Sequence, residues 1–135
     1  MELTIAFSTD DGNSFNNDHF GMARYFRVYT FSDSKEEFIE TRENVKYVED
    51  ASIKHGDPGK AQATSSVLGG VDVIAGRKFG PNIVRLLKKF VCVAVKTDSI
   101  ADAIQMIHEN MELIEQAKNQ GDTRKHIVLK RPAKG

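Results

Sequence analysis

Two short and almost wholly apolar runs, Val71-Asp72-Val73-Ile74-Ala75 and Val91-Cys92-Val93-Ala94-Val95, constrain this chain more than any other feature in it. A run of five with so little alternation suits a strand covered on both faces, and such strands belong to parallel sheets layered with helices. Between the two runs, Pro81 opens a segment in which Ile83, Leu86, Leu87 and Phe90 fall on one helical face. Strand, helix and strand joined by short connections force a parallel pairing with a crossover.

The flanking sequence extends this unit. Asp57 and Pro58 offer an N-cap and a proline at the first helical position, and Gly69-Gly70 marks the stop. After the second run, Ser99 with Asp102 caps a helix whose stripe Ile100, Ile104, Ile107, Met111, Ile114 runs on to a glycine, Gly121. One continuous helix is expected there. Residues 3–7 alternate as a first strand, and residues 25–31 and 37–42 form an antiparallel hairpin. The expectation is an α/β fold with a five-stranded mixed sheet and flanking helices, of the ribonuclease-H-like three-layer type.

At 135 residues the chain suits one domain. No apolar run approaches the ~20 residues that span a bilayer, and the N-terminus lacks the basic segment and long apolar core of a signal peptide. The single cysteine, Cys92, forms no internal disulfide. A cytoplasmic protein without a membrane partner is expected. Charge is balanced overall, but Arg124, Lys125, Lys130, Arg131 and Lys134 crowd the end. The domain is therefore placed at residues 1–121, and residues 122–135 are read as a solvated basic tail. A nucleic-acid partner is not expected.

Three clusters could carry chemistry. Asp18-His19-Phe20-Gly21 follows a long polar loop, residues 8–18, and sets an imidazole beside a glycine turn. Gly76-Arg77-Lys78-Phe79-Gly80-Pro81 joins a strand end to a helix start, a place favourable to anions to which Arg77 and Lys78 add charge. It lacks the Gly-Lys-Ser/Thr ending of a phosphate loop. Lys54, His55 and Lys60 surround the start of the helix at Pro58. Ligands of open α/β sheets bind outside the carboxyl ends of the strands, so the first two loops should share an edge. Each cluster also has a plain reading as a turn. Cys92 sits among valines and reads as a core hydrophobe.

Together, His19-Phe20-Gly21, Arg24-Tyr25-Phe26, the run ending in Gly76, and Phe79-Gly80-Pro81-Asn82 resemble the dinitrogenase iron-molybdenum cofactor biosynthesis family. That family includes the small carrier proteins of nitrogenase assembly, in nitrogen fixation, and the C-terminal domain of the cofactor-core synthase. The similarity spans about residues 2–115. It implies a ribonuclease-H-like fold and reversible binding of a metal–sulfur cluster, or an iron-molybdenum cofactor precursor, which is handed to a donor or acceptor protein without catalysis. It implies His19 as the metal ligand and Gly21 and Gly80 as turn positions, with Arg24, His55, Arg77 and Lys78 as further cofactor-binding candidates. Arg77 and Lys78 stand where the family has smaller residues. Two other readings stay open: a metal-free regulatory or interaction module, and a ribonuclease-H-like nuclease using Asp10 and Asp11 in two-metal hydrolysis.

Overall fold

The computed structural model describes residues 2–45 and 58–130. The first strand, β1, is Leu3–Thr9, and a hairpin follows as β2, Tyr25–Phe31, and β3, Glu36–Glu43. Helix α1, Pro58–Val67, leads to β4, Val73–Gly76; the short α2, Ile83–Leu86, leads to β5, Val91–Val95. Helices α3, Ile100–His108, and α4, Met111–Asn119, precede β6, Ile127–Leu129. The strand order is β3-β2-β1-β4-β5-β6. The β1–β4, β4–β5 and β5–β6 pairs are parallel, whereas β2 runs antiparallel to both β1 and β3.

Alternation along the strands sends side chains into two cores. Leu3, Ile5, Phe7, Val73, Ala75, Val91, Val93 and Val95 face the buried residues of α3 and α4. Ala6, Ile74, Cys92, Phe26 and Val28 face the other way, where Leu68, Leu86 and Phe90 cover them. Helices therefore lie on both faces of the sheet, as the apolar runs require. Fully burying one such Leu, Ile or Phe is worth about 1.5–3 kcal/mol.

Two expectations are corrected. The sheet has six strands instead of five, because Ile127-Val128-Leu129 pairs with β5 from inside the stretch read as a solvated tail. Ile127 and Leu129 are buried and Val128 is exposed, the period-2 signature in its shortest form. Arg124 anchors the approach, its guanidinium donating to the carbonyls of Leu87, Ala117 and Lys118 at 3.1, 3.1 and 3.3 Å. The last helix is also two helices. Asn110 Nδ2 donates to Met106 O at 2.7 Å, and the Asn110 N–H turns to Ile107 O at 2.9 Å. An asparagine side chain competing for a helix carbonyl stops the first helix, and the second restarts beyond it. The apolar stripe survives the break, with Ile100, Ile107 and Ile114 buried and Ile104 and Met111 packed against them.

Among the described residues, no helix is long and apolar enough to cross a membrane.

Candidate functional site

The sheet has one point where neighbouring parallel strands send their chains in opposite directions. From β1 the chain leaves toward β2, and from β4 it leaves toward β5. Loops that part in this way leave a crevice at the strands' carboxyl ends. Residues 10–19 and 77–82 flank that crevice, and the Phe20 N–H ties them together by donating to Lys78 O at 2.9 Å.

The first loop is held by its own side chains. Asp11 Oδ1 accepts the N–H groups of Ser14 and Asn13 at 2.8 and 2.9 Å, and these backbone donors lower its pKa. Asp10 Oδ1 accepts the Arg24 N–H at 2.9 Å. Of the two carboxylates considered for two-metal chemistry, Asp11 thus closes a turn and Asp10 ties the loop to the approach of β2. Among the described residues, no group of three or more His, Cys, Asp or Glu side chains could hold a metal ion. Buried Asn16 donates through Nδ2 to the carbonyls of Asp18 and His19, at 3.1 and 3.0 Å, and so fixes the backbone that carries the histidine.

His19 stands at the head of a 3-10 turn, Phe20–Met22, with its side chain 48% exposed. Its ring lies on Gly80: a Cβ added there would sit 2.5 Å from His19 Nδ1. Phe20 stacks between Phe26 and Phe79, with centroid distances of 5.0 and 5.3 Å. Beneath it, a Cβ on Gly76 would lie 3.1 Å from Phe20 and 3.0 Å from Ser8 Oγ. The His19-Phe20 segment fits against the end of β4 and the connection after it because neither Gly76 nor Gly80 carries a side chain. The resulting pocket is lined by His19, Gly21, Lys60, Thr64, Phe79 and Gly80, among others.

His19, Gly21 and Gly80 therefore meet in one pocket. Arg24 belongs to an adjoining cleft with Gly21, Tyr25 and Lys60. Arg77 and Lys78 line a different groove, with Asn17, Lys96, Thr97 and Asp98, where Arg77 pairs with Asp98 at 2.9 Å. His55 lies outside the described residues. Cys92 is buried in β5 on the α2 side, and burial pushes its thiol up to about 12. His108 packs on Phe31, with Nε2 3.4 Å from Glu36 Oε1.

Sequence reasoning named Lys60 only beside His55, without joining it to His19, and missed Asn16, Thr64 and Lys96 as site residues. Only the i, i+4 spacing of Lys60 and Thr64, which puts both on one face of α1, hinted at a shared role.

The class of protein defined so far is an open α/β domain whose candidate site is a switch-point pocket holding one accessible imidazole among glycines and phenylalanines. Comparison with known proteins gives its lineage. The profile of the dinitrogenase iron-molybdenum cofactor family matches residues 1–110, and the chain belongs to that family. No curated protein matches the chain. A crystal structure of a Methanocaldococcus jannaschii protein described as a candidate dinitrogenase has a similar fold, with a TM-score of 0.54 at 18% identity, covering 82% of this chain and 91% of that one.

Proposed function

We propose that this protein binds a metal–sulfur cluster, or a precursor of the iron-molybdenum cofactor, reversibly in the His19 pocket and passes it to a partner protein without transforming it. Family membership supports a role connected with that cofactor. The observation that carries the binding reading is the His19 imidazole, half exposed yet seated on Gly80 at the pocket mouth.

The chemistry is consistent with temporary holding. Imidazole is a good ligand for iron and similar transition metals. Permanent iron–sulfur sites commonly use four cysteine thiolates, and the sole cysteine is buried in β5. A cluster attached through one imidazole and cradled by a loop can leave when a partner offers more ligands. The ribonuclease-H-like assignment belongs to this reading, supported by the order β3-β2-β1-β4-β5 with its antiparallel hairpin at one side.

The experiment is anaerobic mixing with isolated iron-molybdenum cofactor, followed by gel filtration and metal analysis. Metal should travel with the wild-type protein and largely separate from His19→Ala. Equal retention by both would remove His19 from the site. Transfer is tested by adding a cofactor-free acceptor and following loss of metal from the carrier.

A further inference from the structure

Among the described residues Lys60 is the one buried lysine, at 7% exposure. It lies on α1, and its Cε is 3.6 Å from where a Cβ on Gly21 would be. It lines both the His19 pocket and the cleft beside Arg24. Among the described residues, no carboxylate pairs with its ammonium, and Asp18, 4.0 Å from His19 Nδ1, interacts with the histidine instead. The stem is thus buried along the Phe20–Met22 turn while the side chain borders two openings, and a lysine placed so offers its ammonium to an anion in the pocket.

Thr64, one turn further along α1, is 2% exposed. Its Oγ1 would lie 3.1 Å from a Gly21 Cβ. A side chain at position 21 would press on Thr64 and lie in contact with the Lys60 stem. The glycine of His19-Phe20-Gly21 thus leaves room for the Lys60 stem and Thr64 beside the turn.

We propose that Lys60 sets the charge selectivity of the pocket, receiving an anionic ligand against the Phe20–Met22 turn while His19 contacts it from the Gly80 side. This rests on the reading of that pocket as the cargo site, and it narrows the ligand class to multiply charged anions, sulfido- or oxo-metallates included. Lys60 acts as a point charge, so binding follows ligand charge more closely than ligand shape.

Molybdate and tetrathiomolybdate, tetrahedral dianions differing in oxygen against sulfur, are suitable probes. Each is titrated into the ¹⁵N-labelled protein while the Gly21 and Gly80 amides are followed. Both anions should shift these amides in the wild type. Lys60→Met should weaken both by about tenfold or more, in the range of charge-assisted hydrogen bonds. Lys60→Arg should retain most of the affinity. The thermal midpoint of Lys60→Met should stay close to that of the wild type, since methionine keeps the buried stem, so that weaker binding is not a folding defect. Unchanged affinity in Lys60→Met, or no shift at Gly21 and Gly80 in the wild type, overturns the proposal. Weakening in Lys60→Met without any in His19→Ala would uphold the anion subsite and count against His19 as the metal ligand.

Discussion

Because Gly80 touches the His19 ring so closely, the histidine can be moved without being mutated. A methyl group at position 80 would lie 2.5 Å from Nδ1, and the half-exposed ring is free to swing outward. Gly80→Ala should therefore fold with a stability loss of no more than about 1 kcal/mol, because the ring can yield. It should nevertheless lose most of the cargo affinity that His19→Ala loses. Heteronuclear spectra of the imidazole, alongside the titration, check both halves. Cys92 gives the opposite case. Its thiol stays protonated in the fold up to about 12, whereas in the unfolded chain it ionises from about 9. The native state thus keeps this contribution below about pH 9 and loses it as pH rises toward 12. Cys92→Ala should flatten the alkaline limb of the stability profile, measured by urea melts, and leave cargo binding unchanged. His19, Gly21 and Gly80 entered the sequence reading through the family resemblance, since each cluster alone reads equally well as a turn, and the fold brings the three into one pocket. Lys60 was named beside His55, but its place in the His19 pocket was not legible, since whether a lysine stem is buried depends on what packs over it.

At the scale of elements, β6 is the sharpest departure from expectation. Three residues among five cations look like a solvated end, and only tertiary pairing with β5 makes them a strand. Leu129→Ala should therefore destabilise the protein by about 2–4 kcal/mol, as a buried leucine does. A solvated tail would give a change within about 0.5 kcal/mol. Chemical denaturation decides between them. The break between α3 and α4 was hidden for a related reason. Periodicity reports which face is buried, and that face is continuous across the break, while the cause is one side-chain hydrogen bond from Asn110. In the loop after β1, Asp11 holds two amides, and Asp11→Ala should speed hydrogen exchange at Asn13 and Ser14. The wild type should likewise lose protection at these amides, relative to their intrinsic exchange rates, as pH falls through the lowered Asp11 pKa, because protonation weakens the acceptor.

For the whole molecule, the apolar runs at β4 and β5 were enough to read a parallel core, and the hairpin at β2 and β3 supplied its antiparallel side. That arrangement places the switch point between β1 and β4, so the fold itself brings the His19 and Gly80 loops together. It also separates Arg77 and Lys78 from them, because these side chains follow β4 toward the Lys96 groove. The motif spacing could not reveal this, as neighbouring residues in one turn can face different clefts. The central claim is that the His19 pocket holds a metal–sulfur cargo that can be released. Anaerobic titration of isolated iron-molybdenum cofactor into wild type and His19→Ala, with bound metal measured after gel filtration, tests it most directly. The account predicts saturable retention by the wild type and at least tenfold weaker retention by His19→Ala. No retention by the wild type, or equal retention by both proteins, would contradict it.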